Sequence, residues 1–253
     1  MTEMDKYQPG SFCWTELATN DRKKAAEFYG ALFGWEAKEQ PMGPDDVYVM
    51  LSKRGKTVGA LYQDTKSGAP PHWNCYVAVE SADAASEKAK SLGGSVIAGP
   101  MDVFQAGRAA YIADPEGAVI ALWQPGFNKG AELYGEEGAL CWNELMSHDD
   151  ERARSFYASL FGWTPKVSPE YTELHLGERP IGGIFPMRGE MFAKIPANWM
   201  PYFAVADCDA STAKVKSLGG LVMKEPGDIP NTGRFSVVGD PQGAMFNLFQ
   251  PKM

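Results

Sequence analysis

An α+β fold built from two tandem domains is predicted by three observations: a strand-and-helix phrase spelled twice, apolar spacings that alternate between strand and helix periods, and glycine or proline at the breaks. The phrase is Cys13-Trp14-Thr15-Glu16-Leu17 followed by Phe28-Tyr29-Gly30-Ala31-Leu32-Phe33-Gly34-Trp35. It returns 128 positions later as Cys141-Trp142-Asn143-Glu144-Leu145 and Phe156-Tyr157-Ala158-Ser159-Leu160-Phe161-Gly162-Trp163. Repetition at matching internal spacing marks a duplicated unit. With 253 residues, 44% of them hydrophobic, the chain can fill two cores of about 120 residues each.

Phe12 to Thr19 reads as a strand, and Asn20 or Asp21 is placed to cap the helix after it. Ala25, Phe28, Tyr29 and Leu32 then give that helix one apolar face, and Gly34 ends it. Trp35 to Glu39, Val47 to Ser52 and Thr57 to Tyr62 are short strands between turn signals. A second module follows: a strand at Trp73 to Val79, a helix at Ala82 to Leu92 stopped by Gly93-Gly94, and strands at Ser95 to Ala98, Ala109 to Ala113 and Ala118 to Trp123. Asp114-Pro115-Glu116-Gly117 makes the last turn, with proline pre-setting φ and glycine free to take positive φ.

Gly126 to Gly138 has a linker's composition, and the pattern restarts with a helix at Asp149 to Phe161. Strands around Tyr171 to Leu176 and Pro180 to Phe185 follow. Trp199 to Val205, Lys216-Ser217-Leu218-Gly219-Gly220, Gly233-Arg234 and Asp240-Pro241-Gln242-Gly243 repeat first-half segments at an offset of 126. The expected division is therefore domain 1 at 8–125, a linker at 126–138 and domain 2 at 139–252.

A net charge of −8 and a pI near 5.0 oppose binding to nucleic acid or an anionic membrane. No apolar run approaches the ~20 residues of a membrane-spanning helix, and Met1 to Gly10 lacks the apolar core of a signal peptide. The four cysteines, Cys13, Cys75, Cys141 and Cys208, form no metal-like spacing and imply a reduced, cytoplasmic setting.

The doubled modules, the Asp-x6-Phe-Tyr helix, the Leu-Gly-Gly helix end and the Asp-Pro-x-Gly turn together resemble the vicinal oxygen chelate superfamily, which includes glyoxalase I, bleomycin-resistance proteins and extradiol dioxygenases. The resemblance covers Ser11 to Pro125 and Ala139 to Pro251. It implies that paired modules curl into an open cup-shaped sheet with helices outside and a ligand inside. Family members that bind a metal take His, Gln or Glu ligands from the first and last strands of each module. The matching positions here are Trp14, Ala60, Asn74 and Ala121 in domain 1 and Trp142, Gly183, Met200 and Asn247 in domain 2. Indole, thioether, methyl and neutral amide groups make poor ligands, so no metal and no cofactor is expected.

Strand alternation places Trp14 and Glu16 on the cup face, with Cys13, Thr15 and Leu17 toward the helix. Asn74, Tyr76 and Trp123 share that face in domain 1, and Trp142, Glu144, Met200, Tyr202, Asn247 and Phe249 share it in domain 2. An inward carboxylate beside indole is desolvated, which raises its pKa and suits it to acid or base catalysis or to ligand anchoring. Glu16 and Glu144 are accordingly the catalytic candidates, and a structural ion pair is the plainer reading of each. Arg108 and Arg234 either clamp a ligand oxygen or pair with Asp102, Asp228 or the inward Glu. Trp35 and Trp163 read as core. His72, His148 and His175 occupy non-equivalent positions and carry no repeated chemistry.

The expected function is binding of a small, partly apolar organic molecule without metal, with a lyase or isomerase reaction through an inward Glu as its enzymatic form. A metal-dependent glyoxalase I or dioxygenase is the alternative, and a non-catalytic binding or regulatory protein is the third. A small molecule is the expected partner, and the chain is expected to be a monomer or homodimer.

Overall fold

The computed structural model describes residues 3–43, 47–65 and 67–252. In the first half, β1 (Phe12–Thr19), α1 (Arg22–Phe33), β2 (Glu36–Pro41), β3 (Val47–Lys53) and β4 (Lys56–Gln63) form one module. β5 (His72–Ala78), α2 (Ala82–Ser91), β6 (Ser95–Val103), β7 (Gly107–Ala113) and β8 (Val119–Pro125) form the next. The second half repeats them as β9 (Leu140–Ser147), α3 (Asp150–Phe161), β10 (Thr164–Val167), β11 (Thr172–Leu176), β12 (Arg179–Pro186), β13 (Asn198–Ala204), α4 (Cys208–Ser217), β14 (Leu221–Ile229), β15 (Gly233–Gly239) and β16 (Met245–Pro251). Each half makes one eight-stranded mixed sheet, ordered β2-β3-β4-β1-β5-β8-β7-β6 and β10-β11-β12-β9-β13-β16-β15-β14.

Local chemistry explains the boundaries. Asp21 caps α1 by accepting from the Lys23 and Lys24 amides, and Asp149 caps α3 from the Arg152 amide. Gly34 and Gly162 end those helices in the left-handed region, where a side chain would be strained. Two strands exceed or escape the sequence expectation. β6 runs on through Gly99-Pro100 to Val103, because an edge strand with bulges tolerates residues that would break a central one. The short edge strand β10 has too little apolar content to announce itself.

The helices lie outside the cups, as expected, and the outer faces of the two sheets pack against each other. One core cluster joins Phe28, Tyr29 and Phe33 of α1 to Phe203, Val215 and Phe246 of domain 2. Another joins Phe156, Tyr157 and Leu160 of α3 to Cys75, Ala89 and Ile112 of domain 1. The repeated motifs meet across this boundary. Tyr29 Oη donates to Asp240 Oδ2 at 3.2 Å, and Tyr157 Oη donates to Asp114 Oδ2 at 3.0 Å. Trp35 Nε1 donates to the Gly138 carbonyl and Trp163 Nε1 to the Gly10 carbonyl, each at 2.7 Å. Gln242 accepts from the Asp21 amide, and Glu116 accepts from the His148 and Asp149 amides, so each Asp-Pro-x-Gly turn braces the helix entry of the other domain.

Candidate functional site

Alternation along β1 and β9 decides which side chains enter the cups. Leu17 and Leu145 join the helix-side clusters, so Glu16 and Glu144, one residue earlier, point to the opposite face. Cys13 departs from the expected alternation. A bulge between Phe12 and Trp14 shifts it into the cluster of Tyr7, Trp14 and Ala131 rather than toward the helix.

In the first cup, Glu16 is 6% exposed and accepts three tyrosyl hydrogen bonds: from Tyr48 at 2.5 Å, from Tyr76 at 2.9 Å and from Tyr111 at 3.3 Å. Trp14 and Trp123 are buried against Tyr76, Ala60 and Ala121. Chain from outside the sheet closes the bowl. Tyr7 Oη donates to the Ala131 carbonyl, the Ala131 amide bonds the Cys13 carbonyl, and Trp123 Nε1 donates to the Asn128 carbonyl. The segment expected to be only a linker is thus part of the wall.

In the second cup, Glu144 is 8% exposed and accepts from Tyr202 Oη at 2.8 Å, with the Tyr171 hydroxyl as its other partner. Trp142 Nε1 donates to Tyr171 Oη at 2.9 Å. Register relates the two cups: Tyr111 pairs with Ala121 on β8 and Val237 with Asn247 on β16, so valine stands where the third tyrosine would be. Trp142, Met200, Phe235 and Phe249 are half-buried, whereas Trp14, Asn74, Ala109 and Trp123 at the matching places are buried. Asn247 lies on the cup floor, fully buried, with both amide atoms unpartnered among the described residues.

Burial dominates the electrostatics. Desolvation pushes the carboxyl groups of Glu16 and Glu144 above the usual carboxylate range, and their tyrosyl hydrogen bonds pull partly the other way. The same burial, reinforced by the neighbouring carboxyl, raises Tyr76 and Tyr202 well above a free phenol. Each cup therefore holds a carboxyl group that favours its proton, ringed by neutral hydroxyls.

Arg108 and Arg234 do not reach either cup, which corrects their assignment as ligand-binding residues. Arg108 bonds Asp83 at 2.7 Å and Asp102 at 2.8 Å, and Arg234 bonds Asp209 at 2.6 Å and Asp228 at 2.9 Å. Their strand neighbours Ala109 and Phe235 occupy the cup side, so alternation sends the guanidinium groups to the helix side, where the acids of α2 and α4 lie. His175 Nε2 pairs with Glu173 at 3.0 Å, and Glu173 stands two strands from Glu144 across Gly183. Sequence reasoning did not single out Tyr48, Tyr111, Tyr171, Phe235 or Lys224. Alternation within β7 could have found Tyr111, two residues after Ala109, but only strand register brings it to Glu16.

The donor set does not suit a metal ion. The first cup offers Glu16 and the second Glu144 with Glu173 two strands away, and among the described residues no group of three or more His, Cys, Asp or Glu is placed to hold one. Two grooves lie elsewhere. One of about 540 Å³ runs between Lys6, Tyr7, Gln8 and Arg179, and one of about 230 Å³ between Phe33, Lys53, Val205 and Lys214.

Comparison with known proteins agrees with this architecture. “Putative glyoxylase CFP32” of Mycobacterium bovis is 38% identical over 262 residues, covering 99% of this chain and 98% of that protein. “Anthracycline biosynthesis protein DnrV” of Streptomyces peucetius is 34% identical over 268 residues, covering 98% and 95%. Among solved structures, the Mn(II)-bound glyoxalase of Novosphingobium aromaticivorans superposes with a TM-score of 0.67 at 13% identity, covering 96% of this chain and 82% of that one. An extradiol ring-cleaving dioxygenase from B. fuscum gives 0.67 at 14% identity, covering 100% and 75%; these likenesses show the fold. The model of the Glyoxalase/Bleomycin resistance protein/Dioxygenase superfamily matches residues 11–122 and 142–248, and with two matched repeats, each spanning one sheet and its pair of helices, the chain belongs to that superfamily.

Proposed function

We propose that the protein binds a small, partly apolar organic molecule in a cup, without a metal ion, and that an inward glutamate exchanges a proton with it. The observation that carries this reading is Glu144: a buried carboxyl group inclined to keep its proton, hydrogen-bonded by Tyr202 and flanked by Trp142. A neutral carboxyl group can give a proton to a bound carbonyl oxygen and, once ionised, take one from carbon or oxygen. That is the proton transfer a lyase or isomerase requires, and the neighbouring hydroxyls can donate to a developing oxyanion. Aromatic walls with few polar groups suit an apolar ring system. Two relatives carrying the name anthracycline biosynthesis, DnrV and DauV, support an aromatic polyketide-like ligand over a small sugar or an amino acid.

Native mass spectrometry and elemental analysis of the purified protein test the reading. The expected result is no stoichiometric Mn, Fe, Ni or Zn, together with a non-covalent adduct of small-molecule mass that is released on denaturation. One transition metal per chain would overturn the metal-free mechanism and favour a metal-dependent glyoxalase or dioxygenase.

A further inference from the structure

We infer that the second-domain cup alone is the working site, and that it takes an aromatic molecule with a carbonyl or hydroxyl group at one end and an anionic group at the other. This rests on the small-molecule reading above and narrows it to one cup and one ligand class.

The indole side of the first cup is covered by its own chain, while Tyr48, Met50 and Tyr111 keep part of their surface open. Glu16 has three tyrosyl donors, both indoles are buried, and Tyr7 and Ala131 close over them. The second cup lacks the third tyrosine, and Trp142, Met200, Phe235 and Phe249 keep part of their surface open.

Two polar groups in the second cup have no hydrogen-bond or ion-pair partner among the described residues. The Asn247 amide is fully buried with neither oxygen nor nitrogen bonded among the described residues. A buried amide without partners is destabilising because its desolvation is not offset, so a ligand presenting a carbonyl or hydroxyl would recover that loss. Asn74 in the first cup differs, because its side chain lies beside the Tyr62 hydroxyl. Lys224, in place of domain 1's Ala98, sets its ammonium 4.8 Å above the Phe235 ring and makes no ion pair among the described residues. Phe235 faces Tyr202 with ring centroids 6.3 Å apart, so the cation sits at the rim of the same cup. Lys224 pairs in register with Val237, and Val237 with Asn247. The backbone positions of the two residues are therefore two strand spacings apart, about 10 Å, and the lysine side chain runs along the sheet to set its ammonium over Phe235. Val237 stands between them, and the aromatic pair Phe235 and Phe249 lies beside it on the same face. A flat ring system bearing an oxygen at one end and a negative charge at the other matches this layout.

Calorimetric titration with anthraquinone-2-sulfonate tests the inference. The full-length protein is expected to bind one equivalent. Asn247→Leu should weaken binding by about tenfold while raising the melting temperature, because it removes an orphaned amide. A lower melting temperature with unchanged affinity would instead mark Asn247 as structural and overturn its role. Lys224→Met should weaken binding by about fivefold, an effect that shrinks in high salt. Tyr48→Phe and Tyr111→Phe, in the first cup, should leave affinity unchanged. Affinity lost only in those first-cup variants, or binding of two equivalents, would overturn the choice of cup and leave the small-molecule reading standing. No binding at millimolar probe would overturn the ligand class, while the adduct and metal measurements above judge the broader reading independently.

Discussion

The two cups began as copies and now differ in one consistent direction. Both keep an inward glutamate, a tyrosine from the neighbouring strand (Tyr76 or Tyr202) bonded to it, and an indole bonded through a second tyrosine. The first adds Tyr111 and a cover made from the N-terminal segment and the interdomain connection. The second instead has Val237, Phe235, Lys224 and an Asn247 whose amide has no partner among the described residues. Completing a polar network inside a cup converts it into core, whereas leaving the network one donor short keeps a site available to a ligand. Duplication permits this division, because one copy can carry stability while the other carries the orphaned groups that function needs.

The largest expected contrast is between the two indoles. Trp14→Ala, removing a buried ring, should cost about 3–5 kcal/mol, and Trp142→Ala, at a half-buried place, about half of that; urea unfolding of both variants measures it. Equal losses would show the second cup to be as closed as the first.

A smaller contrast concerns Gly183, which lies opposite Glu144 in register as Ala60 lies opposite Glu16. A Cβ at Gly183 would overlap the Tyr171 hydroxyl. Gly183→Ala should therefore displace that ring at a cost of about 1–3 kcal/mol and weaken ligand binding, as read by thermal unfolding and titration. A neutral outcome would show that Tyr171 moves freely.

The smallest effect is in pH dependence. Burial raises the folded pKa of both glutamates above the ordinary value of about 4.3. Their contribution to stability is thus fully present below that value and is lost as pH rises through the folded pKa. Glu16→Gln and Glu144→Gln should each gain on the wild type as pH rises from about 4 toward 8, by about 1 kcal/mol. The gain should be larger at Glu144, whose ionised form has two tyrosyl partners where Glu16 has three. Melting temperatures across that range check the order, and a larger gain at Glu16 would reverse the comparison.

Much of this was written in local pattern. The repeated phrase gave the duplication, the period-two alternation put Glu16 and Glu144 on the cup face, and Asp21, Asp149, Gly34 and Gly162 set the ends of the first helix in each domain. These features depend on residues a few positions apart, whose geometry is set by strand and helix periods. The partners of the glutamates were another matter. Tyr48 and Tyr111 lie 32 and 95 positions from Glu16, and only strand register brings them to it. Arg108 and Arg234 could be read as clamping a ligand or, more simply, as pairing with Asp102 and Asp228, and side-chain direction decided for the aspartates. The Phe-Tyr helix and the Asp-Pro-x-Gly turn were legible as words within each domain, yet their hydrogen bond joins one domain to the other. A sequence records which face a side chain takes because that is local; it does not record which distant face will meet it, because that depends on how whole sheets pack.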